Sequence, residues 1–113
     1  MTGDELRRIA MALPETEEKV TWEVDITFRV RDKIFVVMGQ DGGSASVKAS
    51  VEAQQALVGS DPKTFSVSHY TGRYGWTTVD LARVDASEMQ ELVEEAWRRT
   101  APKKLVAAFD ARR

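Results

Sequence analysis

Residues 27–38 read TFRVRDKIFVVM, and their alternation decides the fold class. Phe28 and Val30 alternate with Thr27, Arg29 and Arg31, the period of two expected of a strand with one buried face. Asp32-Lys33 turns the chain, after which Ile34, Val36 and Met38 are expected on the inner face and Phe35 and Val37 on the outer one. GQDGG at 39–43 is a second hairpin signal. SASVKA at 44–49 then alternates again, with Ala45, Val47 and Ala49 inward and Ser46 and Lys48 outward. Upstream, Val20, Trp22, Val24 and Ile26 carry the same period from Lys19 onward. Short turns between such strands make an antiparallel meander.

The flanks read as helices and two further strands. Leu6, Ile9, Ala10 and Leu13 fall on one stripe over residues 4–13, and Thr2 with Glu5 has capping-box spacing. Pro14 stops that helix, and the acidic PETEEK at 14–19 is expected to be a connector. Ser50 is positioned to cap a short helix over 51–58, ended by Gly59 and the Ser60-Asp61-Pro62 turn. Phe65 to Tyr70 and Trp76 to Leu81 alternate as strands around a turn at 71–75. Asp85 and Glu88 open a helix running to about Thr100, with Met89, Leu92, Val93, Ala96 and Trp97 inward and Trp22 and Trp97 both core. After Pro102, KKLVAAFDARR adds another turn or two. The order α-β-β-β-β-α-β-β-α describes an α+β fold, an antiparallel meander sheet with helices packed on one face.

Composition narrows the chemistry. The 113 residues make one domain, 1–113, able to bury about 65% of its unfolded surface. Cysteine is absent, which excludes disulfides, thiolate zinc sites and cysteine nucleophiles. No unbroken apolar run is longer than that of Ile34–Met38, which is too short to span a membrane, and a cytoplasmic protein is expected. The single histidine, His69, shares a phase with Val67 and is expected to point inward. No G-x-S-x-G elbow, paired carboxylates or phosphate-cradling glycine loop accompanies it, so neither catalysis nor a cofactor is expected. The first helix carries Asp4 and Glu5 but then Arg7 and Arg8, which makes no oxygen cage for a metal.

Charge is uneven although the net value is −2. Residues 26–50 hold Arg29, Arg31, Lys33 and Lys48 against Asp32 and Asp41. Alternation places Arg29, Arg31 and Lys48 on the outer sheet face, with Lys33 and Arg73 at hairpin tips and Tyr74 and Trp76 beside them. Lysine and arginine neutralise phosphates and an aromatic ring stacks on an unpaired base, so DNA is the expected partner. Outward Phe35 and Val37, rimmed by arginines, equally suit a homodimer or other protein interface without nucleic acid. Solvated sheet faces also carry charge, so the pattern alone leaves these readings open.

Five segments in order, IAMALPETEE (9–18), FRVRDKIF (28–35), SVKAS (46–50), HYTGRYGWTTVDL (69–81) and ELVEEAWRRTAPKKL (91–105), resemble the MmcQ/YjbR family of small bacterial proteins. The resemblance covers nearly the whole chain. It implies a two-layer sandwich like that of CyaY, the bacterial frataxin, and a DNA-binding role that the family label itself draws largely from fold. The chain departs from the family pattern at Glu23 and Asp32, where glycine is frequent. The second departure bears on how tightly the 31–33 hairpin turns.

Overall fold

A computed structural model describes residues 1–21 and 25–112. The expectations for Trp22, Glu23 and Val24 lie outside the described residues. Helix α1 spans Gly3–Met11. The Thr2 hydroxyl accepts from the Glu5 N–H at 3.1 Å, and the Glu5 carboxylate accepts from the Thr2 N–H at 3.2 Å, completing the capping box. Strand β1 is Thr16–Thr21 and β2 is Asp25–Val30, paired without slippage from Thr16↔Val30 to Thr21↔Asp25. Much of PETEEK is therefore strand and not connector. As an edge strand facing solvent, β1 needs no apolar alternation and tolerates Glu17, Glu18 and Lys19, charges that also discourage edge-to-edge pairing.

Strand β3, Lys33–Gly39, returns from a two-residue turn in which Arg31 and Asp32 take φ of 50° and 66°. Two left-handed residues suit a type I′ hairpin, whose twist matches that of the strands, so the turn closes tightly without glycine. Arg31 thus belongs to the turn and not to the sheet face. The pairing then slips: Phe28 opposes Val36 but Arg29 opposes Ile34, leaving Phe35 as the extra residue of a β-bulge. Phe35 and Val36 both enter the core at 0% exposure, and Ile34 moves to the outer face beside Val37. Simple alternation had these two residues the other way round, so the expected interface role of Phe35 is corrected. Its deletion to alanine removes a core ring, a change that costs about 3–5 kcal/mol.

Strand β4 is Ser44–Val47 and helix α2 is Val51–Ser60, capped by the Ser50 hydroxyl. Strand β5, Phe65–Val67, leads through residues 68–76, with a 3₁₀ turn at Gly72–Tyr74, into β6, Thr77–Asp80. All pairings are antiparallel in the order β1-β2-β3-β4-β6-β5, so the meander ends at β4, and β6 inserts between β4 and the edge strand β5. Helix α3, Ala86–Thr100, crosses β3 and β4 with α1 beside it. Its fully buried Trp97 donates its indole N–H to the Pro14 carbonyl at 3.0 Å, which satisfies that donor inside the core. The C-terminal segment forms a full helix α4, Lys103–Ala111. It is held by Phe109 edge-on to Trp97 at 5.1 Å and by an Arg98–Asp110 ion pair.

Candidate nucleic-acid interface

With α1 and α3 on one face, the other face of the sheet is built from the outward phase of each strand. Across its middle, Thr27 opposes Val37, Val37 opposes Ser46, and Ser46 opposes Thr78. One residue pair along, Arg29 lies beside Ile34, and Lys48 follows Ser46 by two positions in the same phase. Arg29 is laid down on the face: its Nε donates to the Thr27 hydroxyl at 3.1 Å and its Nη2 to the Thr21 hydroxyl at 2.9 Å. Thr27 passes its own proton to the Lys19 carbonyl at 2.9 Å. Neutral oxygens orient this guanidinium without cancelling its charge, so it keeps its field over the face.

The 31–33 hairpin is different. Arg31 reaches back 16 residues to form a two-pronged pair with Glu15, which holds the Glu15 carboxyl below the usual carboxylate range. Asp32 at the tip faces Lys19 at 3.5 Å. The expected basic tip is thus largely compensated, with only Lys33 among its charges showing no ion pair within the described residues.

Residues 68–76 form the other edge of the open face. Gly75 takes φ 102°, and a Cβ there would sit 2.0 Å from the Ala49 carbonyl oxygen, so only glycine lets the loop lie against β4's exit. The buried Gln54 of α2 donates to the carbonyls of Gly72 and Trp76, each at 2.8 Å, and clamps the loop at its middle and its C-terminal end. Held this way, the loop presents Tyr70 at 96% exposure with a φ of 62°, and Tyr74 at 63%. The Arg73 guanidinium lies 4.8 Å from the Tyr74 ring centre. His69 is exposed, contrary to the expectation that it points inward. Trp76 is half-buried against the open face.

Between this loop and β2 lies a hollow of about 520 Å³. Ile34 and Val37 supply its apolar surface, Trp76, His69 and Thr71 one side, and Asp25 the other. Three hydroxyls line it as a chain, Ser46 to Ser68 at 2.5 Å and Ser68 to Thr78 at 2.8 Å. Of the residues expected at a binding surface, Arg29, Lys48, Val37, Trp76 and Arg73 border this face or its loop, whereas Arg31 and Phe35 do not. Asp25, Ser46 and Ser68 had only their outward phase as a sequence signal, and the Gln54 clamp had none. Among the described residues, no three His, Cys, Asp or Glu side chains gather closely enough to hold a metal ion. No helix among them is long and apolar enough to cross a membrane.

Comparison with known proteins places this architecture. The YjbR family profile matches residues 11–99. Uncharacterised proteins of Mycobacterium tuberculosis and Mycobacterium bovis are each 30% identical over 123 aligned residues, covering 96% of this chain and 95% of theirs. The crystal structure of Deinococcus radiodurans protein DR2400, with a DUF419 domain, superimposes with a TM-score of 0.77 over 85% of this chain and 75% of its own. At 23% identity, that likeness speaks for the fold alone. The six-stranded antiparallel sheet, the four helices and the matched profile agree with the resemblance read from the five sequence segments: the chain is a member of the YjbR family.

Proposed function

We propose that the protein is a non-catalytic DNA-binding protein that takes an unpaired strand across its outer sheet face and the 68–76 loop. The observation that carries this reading is the loop itself, where Tyr70, Arg73 and Tyr74 stand exposed beside a face holding Arg29 and Trp76. Aromatic faces stack on unpaired bases whatever their sequence, and arginine adds cation–π and phosphate contact. A tyrosine kept outside in a left-handed conformation is a cost that packing does not explain. The compensated 31–33 tip argues against insertion of that ribbon into a duplex groove. Anisotropy titration of a labelled single-stranded oligonucleotide tests the reading. Contact through Arg29, Lys48 and Arg73 gives a slope of log K against log[salt] of about −2, since single strands release about 0.7 counterion per phosphate. Absence of binding at about 50 mM salt refutes it.

Self-association through the same face is the second reading. Its support is the pair Ile34 and Val37, which are half-buried on an otherwise polar face. Light scattering of the wild type and of Val37→Glu decides it: a dimer that the substitution converts to monomer favours this reading over the first.

A further inference from the structure

We infer that the hollow on the outer face is a nucleotide subsite, with Asp25 reading the base and Lys48 facing the phosphate. This deepens the nucleic-acid reading and, for a strand-borne base, rests on it. Asp25 pairs with Gly39, and the Lys48 N–H bonds the Phe35 carbonyl four residues back along β3, so the strand rise sets Asp25 and Lys48 about 13 Å apart along the sheet. The Arg29 guanidinium folds over Thr27 to Thr21, the residue opposite Asp25. The face therefore holds Asp25 at one end and Lys48 at the other, at roughly the span of a nucleotide from base edge to phosphate. Between them Ile34 and Val37 offer apolar contact, with Trp76 at the side. A flat ring system with polar edges suits those walls.

The polar groups limit the ligand further. Among the described residues Asp25 makes no ion pair, and its carboxylate is an acceptor only. It therefore asks for donors, and guanine's adjacent ring N–H and amino group match both carboxylate oxygens at once. Cytosine and adenine offer a single amino group. Thymine offers one N–H between two carbonyls, which would face the carboxylate oxygens as like against like. The Ser46–Ser68–Thr78 chain has three hydroxyl protons and spends two on its internal bonds. One proton remains, delivered at either end of the chain as the bonds reverse, so these hydroxyls accommodate a donor or an acceptor and leave the choice of base to Asp25.

The test compares an all-thymidine heptamer with the same heptamer carrying one central guanosine, and dGMP with dTMP, on the wild type and on Asp25→Asn. Guanosine is expected to tighten heptamer binding by about tenfold, and Asp25→Asn to erase that gain while keeping thymidine binding, as for loss of one bidentate base contact. Equal binding of the two heptamers, unchanged by Asp25→Asn, overturns the subsite and leaves the strand-binding reading standing. Binding of dGMP over dTMP with no heptamer binding upholds the subsite for a free nucleotide and overturns strand binding. If neither binds, both fall. Should Asp25→Asn lose its cooperative melt, Val37→Phe, which fills the hollow, replaces it and is expected to abolish the guanosine preference.

Discussion

The 31–33 hairpin and the 68–76 loop look alike as sequence: each is a turn between strands, each carries arginine, and each flanks the open sheet face. They differ in what surrounds them. Arg31 is matched by Glu15, just before β1, and Asp32 faces Lys19, so the hairpin tip is electrostatically settled. Arg73 meets only the Tyr74 ring among the described residues, and that loop is clamped from behind by Gln54 while its aromatics face out. A charge in a sequence is a binding group only if the fold leaves it without a carboxylate, and here the deciding partner lies 16 residues away.

This contrast can be broken at several strengths. The largest effect is expected from Gly75→Ala, which sets a Cβ against the Ala49 carbonyl at a left-handed position. Denaturant unfolding should show a loss of about 2–4 kcal/mol, with oligonucleotide binding lost in parallel as the loop is displaced. Gln54→Ala removes the clamp and leaves the Gly72 and Trp76 carbonyls with only their backbone donors, Gly75 and Ser68. It should cost about 1–3 kcal/mol and speed hydrogen exchange in 68–76 while leaving the hairpin unchanged. At the hairpin, Asp32→Gly should go the other way. With φ already at 66°, glycine relieves the side-chain penalty and should raise stability by about 1 kcal/mol.

The smallest effect is a pH dependence. Arg31 lowers the Glu15 carboxyl in the folded state, so the pair's contribution is present above the unfolded carboxylate value and lost as pH falls through the folded one. Asp61, held low by the Thr64 hydroxyl, and Asp85, held low by the Ser87 hydroxyl, act with the same sign. Stability should therefore decline below about pH 4, where carboxylates of ordinary pKa protonate. Arg31→Gln should flatten part of that decline in acid titrations followed by circular dichroism.

Much of this was legible from local pattern. Capping by Thr2, Ser50 and Asp85 and the strand alternation of 26–30 and 44–47 follow from rules that act within a few residues, and the structure bears them out, although the first helix ends at Met11 ahead of Pro14. The bulge was not legible, because whether Phe35 or Ile34 faces inward depends on the register against Arg29, a partner strand's choice. Strand β1 was shortened for a related reason: its pairing with β2, and not its own side chains, makes Thr16–Lys19 a strand. The site divided in the same way. Trp76 and Arg29 stood out by residue type, whereas Asp25, Ser68 and Thr78 become a site only when the insertion of β6 beside β4 brings them around one hollow.

The account turns on the loop, and not the hairpin, being the contact surface. Affinity for a short single-stranded oligonucleotide should be measured for two double variants, Arg73→Ala/Tyr74→Ala and Arg31→Ala/Lys33→Ala. Loss of one stacking ring and one arginine predicts at least tenfold weaker binding for the first, and less than twofold change for the second. A tenfold loss in the hairpin variant, with the loop variant binding as the wild type does, would contradict the account.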